Sequence, residues 1–121
     1  MLMHEVSVCH DMMALIEDHL ATEGTHGPVK VVRLRIGAMS GVVPEALSFA
    51  FECVSPGTRF AGAKLEIENV PLVVRCESCD AESRLDEPFF FCPKCGGFSL
   101  TVVSGDEMNV ASVDVDDGEV L

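Results

Sequence analysis

Four cysteines stand in two C-x-x-C pairs, Cys76-Glu77-Ser78-Cys79 and Cys92-Pro93-Lys94-Cys95, with twelve residues between the pairs. Two intervening residues let a tight turn aim both sulfurs at one point. Tetrahedral Zn–S bonds of about 2.3 Å then place the sulfurs roughly 3.8 Å apart. The spacer is a little shorter than the usual fifteen to twenty or so, yet long enough for a two-stranded excursion and return. Gly96-Gly97 removes side chains where backbone amides can approach the thiolates. A closed four-sulfur shell leaves no position for water or substrate, so the expected role is structural zinc rather than catalysis. Iron in the same shell is the rival, and would make an electron carrier. Phe89-Phe90-Phe91 is expected to shield the site by packing, and Lys94 alone is no basic patch for nucleic acid.

A second group lies at the other end of the chain. His4 and Glu5 precede the first apolar-periodic segment and read as a short arm or strand edge. Most histidines are not ligands, but one close to a terminus can join backbone nitrogens in a planar set suited to Ni²⁺ or Cu²⁺. The remaining candidates are weaker. Cys9 and Cys53 fall on apolar helical positions and read as core. His10 and His19 are nine residues apart, about 180° around a helix, and cannot share a metal there. His26 sits in a Gly-flanked loop and is expected to face solvent. No Ser-His-Asp set, phosphate-binding loop or HExxH occurs, so no enzyme activity is expected.

The elements that must position these groups follow from periodicity. Cys9, Met12, Met13, Ile16 and Leu20 recur at helical steps, predicting a helix from Ser7, as N-cap, to Leu20. Val31 to Ile36 alternates with Val32, Leu34 and Ile36 on one face, a half-buried strand. Pro44 opens a second helix to about Val54, with Leu47, Ala50, Phe51 and Val54 as its stripe. Lys64 to Glu68 is a strand with Leu65 and Ile67 inward. Glu107 to Val115 is another, needing a bulge near Val110 to reconcile its two parities. The Cys-rich stretch between them shows little apolar periodicity before Leu100 to Val103. Asp114, Asp116, Asp117 and Glu119 read as a solvated acidic tail. The expected fold is α+β: two helices packed on a small mixed β-sheet, with an inserted zinc-ribbon-like module. Residues 1–70 plus 104–121 form the α+β domain and 71–103 the zinc-binding module.

Twenty acidic residues against eight basic ones give a formal charge of −12. A zinc ion on four thiolates would bring it to about −14. Such a field opposes nucleic acid and anionic membrane and favours cations or a basic partner. No signal-peptide pattern or membrane-length apolar run appears, so a cytoplasmic location is expected, where six cysteines argue for metal over disulfides.

Met3-His4-Glu5-Val6-Ser7, the two C-x-x-C pairs with Pro93 and Gly96, Gly105-Asp106-Glu107-Met108-Asn109-Val110, and Val42-Val43-Pro44-Glu45-Ala46-Leu47-Ser48-Phe49-Ala50-Phe51 together resemble the HypA/HybF family of hydrogenase nickel-incorporation proteins. The resemblance covers nearly the whole chain. It implies a nickel metallochaperone for [NiFe]-hydrogenase maturation, working with the GTPase HypB and the hydrogenase large subunit and, in some organisms, with urease maturation proteins. A homodimer stays open. Carried over, His4 is the nickel ligand, with Met3 and Glu5 beside it, and Cys76, Cys79, Cys92 and Cys95 bind zinc. In the family Met-His-Glu begins the chain, whereas Met1-Leu2 precede it here. A peptide bond at the nitrogen of Met3 would block a set using a terminal amine there; His4 and its amide remain available. The alternative is a zinc-ribbon adaptor or binding module with no nickel role.

Overall fold

The computed structural model describes residues 2–86 and 91–116. In chain order these form α1 (Leu2–Thr22), β1 (Val29–Gly37), α2 (Pro44–Val54), β2 (Lys64–Val70), β3 (Leu72–Cys76), β4 (Glu82–Leu85), β5 (Leu100–Ser104) and β6 (Met108–Val115). The strands make two three-stranded sheets, ordered β2-β1-β6 and β4-β3-β5. The architecture is therefore α+β, as the periodicity predicts. The chain divides into two compact units, one of Met1–Leu34, Val42–Ile67 and Val110–Leu121, the other of Arg35–Gly41 and Glu68–Asn109. Among the described residues no helix is long and apolar enough to cross a membrane.

In the first unit α1 buries Cys9, Met12, Met13, Ile16 and Leu20, the stripe expected of it. Its start differs. The helix begins at Leu2, so Ser7 is an exposed helical residue and not the N-cap, and His4-Glu5 lies in the first turns rather than in an arm or strand. The cause is Glu5, which is 1% exposed and extends the buried stripe one turn upstream of Cys9. A carboxylate there looks like the end of an apolar face until its partner is known. At the other end Thr25 N–H bonds Leu20 C=O at 2.9 Å and Gly24 N–H bonds Ala21 C=O at 3.1 Å, the paired bonds of a Schellman stop.

Helix α2 runs Pro44–Val54 as predicted, with Leu47, Ala50 and Phe51 buried. Phe51 meets Phe60 edge to face, ring centroids 6.3 Å apart. Cys53 departs from expectation: it is exposed, because it lies two residues and about 200° beyond Phe51. Glu5 meets Val43 and Cys9 meets Leu47, so the contacts advance four residues on both helices, and α1 and α2 lie side by side in the same direction.

Strand β1 buries Val32, Leu34 and Ile36 on one side and presents Arg33 and Arg35 on the other. Arg33 pairs with Glu66 at 3.0 Å and Arg35 with Glu68 at 3.5 Å, so β1 and β2 advance together and are parallel. Arg33 also forks onto both oxygens of Asp114, at 3.0 and 2.9 Å, while Gly37 N–H reaches Glu107 C=O; β6 therefore runs antiparallel. The sheet is mixed. On β6 the half-buried residues are Val110, Val113 and Val115, a change of parity where the sequence calls for a bulge.

In the second unit β3 is the central strand, antiparallel to both neighbours, with Val74 opposite Ser83 and Val102 and Cys76 opposite Leu100. Leu72, Val74 and Cys76 are buried. Neither β3 nor β4 was expected. The Leu72-Val73-Val74 run conceals the alternation, and Glu82-Ser83-Arg84-Leu85 is too polar to announce a strand. Chain segments meet closely at Gly37 and Gly105: a Cβ on Gly37 would lie 2.1 Å from Gly105 O, and one on Gly105, at φ +110°, 2.5 Å from Leu72 Cα. The Glu107 carboxylate accepts the Gly105 N–H at 2.7 Å, which holds its pKa below the usual carboxylate range.

Two tests follow from these contacts. Gly37→Ala should lower stability by about 3 kcal/mol or more in urea unfolding of the metal-loaded protein, because backbone rather than a side chain must yield. Asp114 is held below its ordinary 3.8 by the Arg33 hydrogen bonds. Its contribution is complete above that value and lost as pH falls below it. Asp114→Asn should flatten that acid limb of a thermal-melt profile while leaving a smaller, pH-independent loss.

Candidate metal centre

The two cysteine pairs sit on turns that repeat residue for residue. In the first, Asp80 N–H returns to Cys76 C=O at 2.8 Å and Cys76 N–H bonds Ala81 C=O at 2.9 Å. In the second, Gly96 N–H returns to Cys92 C=O at 2.8 Å and Cys92 N–H bonds Gly97 C=O at 2.7 Å. Each turn closes through a left-handed residue one place after its second cysteine, Asp80 at φ +62° and Gly96 at φ +77°. Aspartate tolerates that conformation better than most side chains. The turns lie side by side because Glu77 N–H bonds Ser99 C=O at 2.8 Å.

All four sulfurs fall within 4.8 Å of one another. Cys76 Sγ is 3.6 Å from Cys95 Sγ, and Cys79 Sγ is 3.7 Å from Cys92 Sγ. These are close to the edge of a tetrahedral zinc–sulfur shell, about 3.8 Å. Amides point at the sulfurs: Lys94 N–H is 3.3 Å from Cys92 Sγ and Gly97 N–H 3.4 Å from Cys95 Sγ. Gly97 also leaves the room the centre needs, since a Cβ there would lie 3.3 Å from Cys95 Sγ and 3.7 Å from Cys76 Sγ.

Charge decides what this cluster can do. Amides at the turn hold Cys92 down to about 6, those of Cys95 and Lys94 in that order, and they lower Cys76 likewise through Cys79 and Ser78. Cys95 is pushed up to about 12 and Cys79 is raised by the sulfurs around them and by burial, against an opposing amide in each case. The turns thus favour the thiolate at Cys92 and Cys76, and the crowding of the sulfurs with burial disfavours it at Cys95 and Cys79. A divalent ion among them reverses the second pair. The donor set fits a metal such as zinc with every position filled. Phe91, beside Cys92, is exposed, and Phe98 is 80% exposed; Phe89 and Phe90 lie outside the described residues.

The N-terminal group is different in kind. His4 is 57% exposed at its side chain, and its Nδ1 lies 3.8 Å from Glu5 Oε2. Glu5 turns inward, where Oε2 accepts the Val43 N–H at 3.1 Å. That amide is the largest influence holding the Glu5 carboxyl below its usual range, against burial. Its Oε1 is buried with no hydrogen-bond partner. His4 is the third residue of α1, so its backbone N–H has no acceptor within the helix. Met3 lies in the same turn, and its side chain is outside what is described. His10, His19 and His26 are all exposed and join no metal-binding group among the described residues. Two participants were missed in the sequence. The Val43 amide carries no side-chain signal, whereas Asp80 could have been found by aligning the two cysteine turns.

Residues 3–115 match the family model described as hydrogenase/urease nickel incorporation, metallochaperone, HypA. The chain belongs to the HypA family. It is 45% identical over 116 residues to the hydrogenase maturation factor HypA of Roseiflexus sp. strain RS-1, covering 95% of this chain and 94% of that one. The corresponding protein of Solidesulfovibrio magneticus is 42% identical, covering 94% and 100%. The solution structure of the Ni metallochaperone HypA from Helicobacter pylori shares the fold at TM-score 0.64 and 23% identity, over 92% of this chain and 96% of that one. Another HypA solution structure matches at TM-score 0.66 and 25% identity, over 93% and 96%. The family match starts at Met3, the first residue of the Met-His-Glu motif.

If metal holds the cysteine turns together, a strong chelator should free the amides of β3 and β5 for hydrogen exchange while the far-UV helical signal persists. Loss of both signals at one chelator concentration would mean that the helices also depend on the metal.

Proposed function

We propose that this HypA-family chain carries nickel for hydrogenase maturation at its N-terminal Met3-His4-Glu5, with the four cysteines holding a structural zinc ion. Nickel is cargo, so its site must bind and release. The observation that carries the reading is the exposed His4 imidazole on the first turn of a helix, where neighbouring amides have no intrahelical acceptor. An imidazole with deprotonated amide nitrogens supplies the in-plane donors that Ni²⁺ favours over Zn²⁺. Glu5 acts by position: its bond to Val43 fixes the turn, and its negative charge offsets the repulsion a cation meets at a helix N-terminus. Zinc in a filled four-sulfur shell does no chemistry and serves folding.

On this reading residues 1–70 with 104–121 form the nickel-bearing domain and 71–103 the zinc module. The protein works in the cytoplasm with a HypB-type GTPase and the hydrogenase large subunit, and urease maturation proteins are further candidates where urease is present. The site binds and hands over; it catalyses nothing.

The deciding experiment is metal titration of purified wild-type and His4→Ala protein. The wild type should bind one exchangeable Ni²⁺ beside one tightly held Zn²⁺. His4→Ala should lose at least about tenfold in nickel affinity with zinc unchanged. Nickel affinity should also fall on acidification, because imidazole and amide nitrogens must shed protons to bind. Equal nickel affinity in His4→Ala would leave only the zinc-adaptor reading.

A further inference from the structure

A metal in a filled sulfur shell has no free position, but the sulfurs themselves keep lone pairs, and solvent reaches them unequally. Cys79 and Cys95, the second cysteine of each turn, are exposed, whereas Cys76 and Cys92 are each only 1% exposed. Gly96 and Gly97 put no side chain beside Cys95, although a Cβ on Gly97 would stand 3.3 Å from its sulfur. Each exposed sulfur has a buried one of the other turn close by: Cys95 has Cys76 at 3.6 Å, and Cys79 has Cys92 at 3.7 Å. These two pairs are nested in the chain, 79 with 92 inside 76 with 95, so both can close at once like successive rungs of a hairpin. The bond from Glu77 N–H to Ser99 C=O already holds the two turns in that alignment.

We propose that the cluster is also a peroxide-oxidised site, in which Cys79 and Cys95 react first and then bond to Cys92 and Cys76, freeing the metal and leaving the turns sewn together. The inference rests on the reading that the four cysteines hold zinc. At each exposed position the thiolate attacks a peroxide oxygen, the O–O bond breaks, and with one proton the products are a sulfenic acid and water. The buried thiolate of the other turn then attacks the sulfenic sulfur, an S–S bond forms, and the hydroxyl leaves with a second proton as water. Each pair thereby gives two electrons to one peroxide. Disulfide sulfurs carry no charge to hold a cation, so the metal is released. Chelation and oxidation both empty the site yet leave different molecules. Chelation lets the turns part, whereas each bridge ties one turn to the other.

The test treats zinc-loaded, full-length Cys53→Ser protein, which lacks the exposed thiol outside the cluster, with hydrogen peroxide. A chromogenic chelator should report about one Zn²⁺ released per two peroxides consumed. Dimedone, which traps sulfenic acids, should mark Cys79 and Cys95 rather than Cys76 or Cys92. Trypsin with a glutamate-specific protease cuts after Arg75, Glu77, Arg84 and Lys94, so each of the four cysteines falls on its own peptide. Mass spectrometry should find Cys76 joined to Cys95 and Cys79 to Cys92. The oxidised, zinc-free protein should keep the hydrogen-exchange protection of β3 and β5, and a dithiol reductant with Zn²⁺ should restore the starting state. Bridges within the turns, Cys76 to Cys79 and Cys92 to Cys95, would overturn the proposal. So would first oxidation at Cys76 or Cys92, zinc retained in excess peroxide, or sulfinic acids formed without bridges. A reduced protein that holds no zinc would sink the metal reading instead, and the bridge map, which needs no metal, would still decide the pairing.

Discussion

Four sulfurs within 4.8 Å cannot all carry negative charge unless a cation lies among them. The second unit is arranged around that constraint. Its central strand ends on a member of the cysteine cluster, Cys76, and the return segment is fastened to the first turn at Ser99. The apolar material is modest, with Leu72 and Val74 the principal buried aliphatics of β3. A sheet of three short strands needs more than this to stand alone. A metal held by the four sulfurs would supply the difference, and the amides of the turns favour the thiolate at Cys76 and Cys92.

The first unit solves a different electrostatic problem. A buried carboxylate is costly, yet Glu5 sits at 1% exposure. It lies in the first turns of α1 and accepts the amide of the residue that opens α2, so the positive ends of two helices converge on it. The Cys9 thiol one turn below is held protonated by burial and by that same carboxylate, pushed up to about 11, and donates to Leu47 C=O. One charged side chain thereby aligns two helices and leaves its neighbour His4 on the outside.

What could be read from the sequence divides along the same physical line. Helix α2, the inward face of β1 and the cysteine group rest on local spacing, and they appear where periodicity places them. The first turn of α1 does not, because the burial of Glu5 depends on an amide 38 residues away. Strand β3 was hidden by a run of apolar residues that masks alternation. Cys53 was misplaced by an apolar character that says nothing about helical phase. His4 stood out in the sequence only as part of a whole-chain resemblance, since a single exposed histidine is common.

The twofold repetition of the cysteine turns has a kinetic meaning. Each turn closes within six residues through its own backbone bonds, so a half-site can form in a chain that has not yet folded. An ion caught by one pair would meet the other as a tethered reactant, at an effective concentration set by the twelve residues between them rather than by the cell's free metal. Loading would then be a two-step clasp, in which a bound ion guides assembly of the β3–β5 sheet as well as stabilising the finished product.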